Sequence, residues 1–230
     1  MDRIVFAKNP WPKGHAIKEL RWSGRIEPEG AERGLWFDLH LQTEAYDAAD
    51  RKKRGRGKDG DEEEELDDDW KSKVVWNNYG RCTLSSTQWD GDGFRVATEK
   101  KPLDFSKLAK TPFRVDFNRK NIGEDGPHAF GLYLLGHDSV ANHVIHFARR
   151  RGPAAYSLVW EGRIALSYAG RTKLEHRFSV TAAEVRFDGF YAPKGTSTKG
   201  ALELLEPFVT DVSKYTARRR AGRVLLTSSQ

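Results

Sequence analysis

From Leu35 to Gln42 apolar and polar residues alternate without a break, with Leu35, Phe37, Leu39 and Leu41 set against Trp36, Asp38, His40 and Gln42. A period of two places successive side chains on opposite faces of a strand, so this segment predicts a strand with one face in a core. Phe113, Val115 and Phe117 alternate with Arg114, Asp116 and Asn118 in the same way. Shorter apolar runs predict further strands at 3–8, 18–26, 74–77, 81–87, 94–98, 130–135, 143–148, 156–160, 163–168, 178–181 and 184–191. Turn residues separate them: Glu27-Pro28-Glu29-Gly30, Asn78-Tyr79-Gly80, Asp90-Gly91-Asp92-Gly93 and Glu161-Gly162. Helical periodicity is confined to brief stretches at 44–50, 105–110 and 201–205, the last of which ends before Pro207.

Many short strands joined by glycine-rich turns predict an all-β fold. The expected form is an antiparallel two-sheet sandwich, with a jelly-roll or lectin-like scaffold as one version, built as a single domain over residues 1–230. Trp22-Ser23-Gly24-Arg25-Ile26 resembles Trp160-Glu161-Gly162-Arg163-Ile164, and both read as turn-to-strand entries. Related Gly-Arg starts at Gly80, Gly162 and Gly222 have no fixed period, which argues against a regular repeat.

Residues 51–69 break the pattern. Six basic side chains, Arg51 to Lys58, run into nine acidic ones, Asp59 to Asp69, and Leu66 alone is apolar. Such a stretch buries too little surface to offset its ordering entropy, so it predicts a flexible charged insertion at a sheet edge. It could hold a protein partner by charge, in which case its deletion spares folding and abolishes capture. The formal charge of the whole chain is +6, and the mean hydropathy of -0.70 describes a very polar surface.

Candidate chemistry narrows from here. Cys82 is the single cysteine, which excludes an internal disulfide and a thiolate metal cluster. The first residues contain no apolar run of signal-peptide length, and the apolar stretch at 129–136 is far too short to span a bilayer, so a cytoplasmic protein with no membrane contact is expected. His143 and His146 stand three apart and on a strand point to opposite faces, while His128 and His137 flank one strand; no metal site and no cofactor are expected. Asp90-Gly91-Asp92-Gly93 lacks the further ligands of a calcium loop and reads as a hairpin turn.

Arg149-Arg150-Arg151 and Arg218-Arg219-Arg220, with Arg163, Arg171, Lys173 and Arg177, could meet phosphates, and Tyr156 and Tyr168 could stack bases. No nucleic-acid-binding motif accompanies them and the acidic block opposes a polyanion, so nucleic acid is not the expected partner. No nucleophile elbow occurs. Asp38, Glu44, Asp116, Glu161, Glu184 and Asp188 are candidate carboxylates for a glycan hydrolase or lyase, although no spacing pairs two of them.

The strongest constellation is Trp36, Asp38, His40, Trp76, Asn78 and Trp89. If the Leu/Phe row of 35–41 enters the core, Trp36, Asp38 and His40 project from the open face. Aromatic rings offer stacking surface for the C–H face of a sugar, and amide, imidazole and carboxylate groups answer its hydroxyls. The expected function is therefore binding of a carbohydrate or another polar ligand. Carboxylate-based glycan cleavage and protein interaction through 51–69 stand as alternatives.

Overall fold

The computed structural model describes residues 2–48, 68–89, 91–123, 128–150 and 155–228. The expected charged insertion lies outside these, apart from Asp68 and Asp69. The described elements are β1 (Arg3–Phe6), β2 (His15–Glu27), β3 (Gly34–Thr43), α1 (Lys73–Tyr79), β4 (Thr83–Ser85), β5 (Phe94–Ala97) and β6 (Phe113–Val115), followed by β7 (Gly131–Tyr133), β8 (His137–Arg149), β9 (Ala155–Ala165), β10 (His176–Tyr191), α2 (Thr198–Leu205), β11 (Tyr215–Arg220) and β12 (Arg223–Ser228).

A mostly antiparallel sheet of twelve strands dominates, ordered β1-β2-β3-β4-β7-β8-β9-β10-β12-β11, with β5 laid on β3 and β6 on β8. The path also returns on itself. Phe178 to Thr181 of β10 pair antiparallel with β1, and Phe187 to Tyr191 pair parallel with β2. The strands thus form a closed ring carrying side branches, as in a barrel, where closure removes exposed edges. The pairings give neither the two separate sheets of the expected sandwich nor a jelly-roll order.

Closure depends on long strands that bend. β10 shifts register between Ala182 and Val185 and again between Phe187 and Phe190. β8 shifts between Ala141 and Val144, where Asn142 has a positive φ of 55°. Such bulges add twist and let one strand serve two neighbours in different directions. They explain why strands expected to be separate are continuous. The segments at 156–160 and 163–168 fall largely within the single strand β9, with Glu161-Gly162 inside it rather than at a turn. The segments at 178–181 and 184–191 are both part of β10, and 137–142, expected as a connection, is the first half of β8.

The two Trp-x-Gly-Arg-Ile segments likewise lie inside strands. Each puts a buried tryptophan in the core and follows it with a glycine where a phenylalanine of β10 presses close: Phe190 on Gly24 and Phe178 on Gly162. A methyl group at either position would overlap the ring.

Leu35, Phe37, Leu39 and Leu41 are fully buried, as the alternation requires. Their neighbours fill the interior with aromatic rings: Trp22 stacks on Phe147 at 4.1 Å, and Phe37 packs beside Phe187 at 5.4 Å. The expected strand at 74–77 is a helix, α1. Ser72 caps its start by accepting from the Val75 amide, and Gly80 at φ 78° ends it. Trp76 anchors this helix in a plug of rings with Trp11, Tyr46, Trp70 and His15.

Candidate functional site

The rows of outward-facing residues locate the site. Across β3, β4, β7 and β8 the register sets Gln42 beside Thr83, Thr83 beside Tyr133, and Tyr133 beside His137. The next row runs from His40 to Ser85 to Gly131. Leu41, Leu84 and Leu132 lie between these rows in sequence and point into the core. The outer face of this part of the sheet is therefore polar at β3 and aromatic at β7 and β8.

Gly131 is decisive for that aromatic end. A side chain there would strike the carbonyl oxygens of Gln88 and Trp89, 2.7 and 2.8 Å from the Cβ position. Its absence lets the loop after β4 fold down over the sheet, with Trp89 at a positive φ of 51°. The indole then meets Tyr133 at 6.1 Å and His137 at 5.5 Å. Gly136 permits a second close approach, by the ring of Tyr168. Asp138 fastens the same corner, accepting from the Leu135 amide at 3.0 Å and the Tyr168 amide at 3.4 Å. Burial pushes its carboxyl above the ordinary carboxylate range, against the lowering effect of those two amides. Tyr79, on the last turn of α1, joins Tyr133 at 6.4 Å and Tyr168 at 6.3 Å.

The result is an aromatic patch of Tyr79, Trp89, Tyr133 and Tyr168, edged by the exposed imidazole of His137. Trp89 is 41% and Tyr168 66% exposed, although large rings are rarely left in water without a partner to cover them. Tyr79 and Tyr133 are half-buried.

A polar trough of about 840 Å³ opens beside His40 and Gln42 of the same rows, lined also by Glu19, Arg21, Asp38, Thr87, Gln88, Asp188 and Arg220 among others. His40 is held in place through its Nδ1, 3.0 Å from Ser85 Oγ, and burial lowers its pKa despite the nearby Glu19 carboxylate. At the end of α1, Arg81 donates to Gln42 at 3.4 Å and ties the helix to the same outer row.

The six residues expected at the site separate into four groups. Trp89, Asn78 and His40 belong to this outer surface: Asn78 is exposed beside Tyr79, and His40 lines the trough. Trp76 is fully buried beneath α1, because the segment is helical and its apolar face turns inward; its indole donates to the Trp70 carbonyl at 2.9 Å. Asp38 does project outward but is buried by its partners, taking hydrogen bonds from Arg25 at 2.5 Å and Ser86 at 3.2 Å. Burial raises its pKa more than Arg25 and Ser86 lower it. Trp36 faces a different groove, donates to the Glu32 carbonyl at 2.8 Å, and lies beneath the guanidinium groups of Arg25 at 5.0 Å and Arg95 at 5.8 Å.

Tyr79 and Tyr133 carry no site signal in the sequence, and Tyr168 and His137 suggest there only base stacking and a metal, because strand register and the close approach at Gly136 bring these residues together from segments without an alternating pattern. The glycines at 131 and 136 on either side of Tyr133 were the available signal.

The remaining candidates are ordinary. Cys82 is buried, and burial pushes its thiol far above the usual range. His143 and His146 do diverge: His143 is enclosed and receives the Trp160 indole at 3.1 Å, whereas His146 contacts the Ala109 carbonyl at 3.0 Å. Among the described residues, no group of three or more His, Cys, Asp or Glu side chains could hold a metal ion, and no helix is long and apolar enough to cross a membrane. Comparison of the chain with protein-family models, curated proteins and solved structures returned no match.

Proposed function

We propose that the chain is a binding protein for a carbohydrate or another polar ligand, held across the aromatic patch and the trough beside it. The observation that carries this reading is the exposed ring cluster of Trp89, Tyr133, Tyr168 and Tyr79 next to His40, Gln42 and Arg21. Trp89 and Tyr168 supply flat apolar faces for a sugar ring. Asn78, His137, Gln42 and Arg21 supply donors and acceptors for its hydroxyl or acid groups. Trp76 and Asp38 have a supporting part, one by seating α1 and the other by fixing Arg25. The interior is packed with rings, so the ligand lies on the outer face rather than inside the ring of strands.

Glycan cleavage by carboxylates has weaker support. Of the candidate acids, Asp38 pairs with Arg25, Asp116 with Arg119 and Glu184 with Arg186, which leaves these three engaged. A cytoplasmic location and a second, charge-driven contact through 51–69 remain part of the proposal.

Equilibrium binding to a neutral oligosaccharide panel tests the reading. Trp89→Ala should weaken binding by at least about tenfold, in keeping with the cost of losing an aromatic anchor. Affinity equal to wild type in both Trp89→Ala and Tyr168→Ala would overturn it.

A further inference from the structure

β5 and β6 are each paired along one edge only, β5 with β3 and β6 with β8. Their other edges have no backbone partner among the described residues. A groove of about 690 Å³ lies between them, lined by Phe94 and Arg95 from one strand and by Phe113, Arg114 and Val115 from the other. Its floor is apolar, since the rings of Phe94 and Phe113 meet at 5.4 Å and continue the core.

The chain itself shows what fits this lane. Asp92 and Gly93 lead directly into β5, and their amides donate to the carbonyls of His128 and Ala129, both at 2.9 Å. Asp116 directly follows β6, and its Oδ2 accepts from the Ala129 amide at 2.9 Å. One short segment, His128-Ala129, thus bridges the two walls at this end of the groove. Beyond it, between β5 and β6 proper, no described segment takes its place.

We propose that this slot receives an extended acidic peptide from a partner protein, which adds as a strand in line with His128-Ala129. Unpaired strand edges recruit an extended backbone through its amides and carbonyls. The acidic character follows from two arginines on opposite walls. Arg95 and Arg114 are exposed, stack on Trp36 at 5.8 Å and Phe117 at 4.5 Å, and have no carboxylate partner among the described residues; Arg95 also donates to the Ala31 carbonyl at 2.8 Å. Stacking holds their planar groups in place for a side-chain carboxylate between them. Glu27, Glu32, Asp92 and Asp116 also line the groove, so the two arginines, not net charge, fix where the acid sits.

The probe is a capped peptide of alternating valine and glutamate, followed by hydrogen exchange of the wild-type protein. Saturable binding should slow exchange at the amides of β5 and β6. The charge-reversed double variant Arg95→Glu/Arg114→Glu should bind at least about tenfold more weakly, because like charges then face one another. A version of the peptide methylated at alternate backbone nitrogens should lose affinity. The proposal fails if the peptide does not bind, if protection appears elsewhere, or if the methylated peptide or free glutarate binds as well as the intact one, which would mark a small-anion site. The oligosaccharide experiment rests on Trp89 and Tyr168, so either result can fail without the other.

Discussion

Trp76 and Trp89 carry the same indole to opposite ends. Trp76 fills the plug of rings formed with Trp11, His15, Tyr46 and Trp70 and is fully buried; Trp89 lies on the outside, held by a left-handed backbone turn above Gly131. Truncating the first removes packing and leaves a cavity, so Trp76→Ala should cost about 3–5 kcal/mol of stability by denaturant unfolding. Trp89→Ala should stay within about 0.5 kcal/mol of wild type, as surface substitutions do. Equal destabilisation by the two variants would contradict the placement of Trp89 outside the core.

The buried histidines set an acid limit on the fold at the same scale. Burial, helped by the charge of nearby His128, lowers the pKa of His143 to about 3; burial and the Arg3 charge lower that of His15 to about 4. In the unfolded chain both return to 6.5, so between these values the unfolded state binds more protons. Stability therefore rises with pH through this window and is lost as pH falls through 6.5. The expected loss is roughly 2 kcal/mol per histidine between pH 6.5 and 5. Asp38 and Asp138, raised by burial, contribute with the opposite sign, being destabilising once ionised. His143→Phe should lower stability at neutral pH, since it strips the Trp160 indole of its acceptor, and should flatten the acid slope. Urea midpoints at the two pH values measure both effects, and an unchanged slope would show that His143 does not contribute.

At the scale of elements, the sequence is legible where one strand face is apolar and not where a strand turns a corner. The alternation at 35–42 gave both the inward row and the outward row of β3 correctly. Glycine and small residues within β9 and β10 have the composition of turns. In a closing sheet those residues admit neighbouring rings and bulges instead: Gly162 faces Phe178, and the register slips past Ala182. Val74-Val75-Trp76 has the composition of a strand, but the cap at Ser72, the stop at Gly80 and the pocket for Trp76 favour a helix. Parallel pairing of β2 with β10, which completes the ring, has no local signal because it joins segments far apart in the chain.

Two element-scale expectations follow. Gly131→Val should lift the loop that carries Trp89 and reduce ligand affinity at least about as much as Trp89→Ala, with β4 and β7 still protected in hydrogen exchange. Gly24→Ala should instead destabilise the fold, because its methyl meets Phe190 where β2 joins β10; about 1–3 kcal/mol is typical of overpacking. A Gly24→Ala protein as stable as wild type would place the closing contact elsewhere.

For the whole molecule, an interior given over to aromatic rings leaves recognition to the outside. Closure uses up most strand edges, so the surface of the described residues presents two distinct opportunities: the aromatic patch with its trough, and the slot between β5 and β6. Charge adds reach to both, since the chain's basic excess gives salt-sensitive attraction for acidic partners, whereas ring stacking on a neutral glycan responds little to salt. Binding of neutral oligosaccharide should therefore persist at high ionic strength, while the acidic peptide should be released.

The most direct measurement is a glycan array read with wild-type protein and with Trp89→Ala side by side, after thermal melts show that both are folded. The account predicts a discrete set of glycans bound by the wild type and lost from the variant. An array at background for the wild type, or the same set bound equally by the variant, would contradict it.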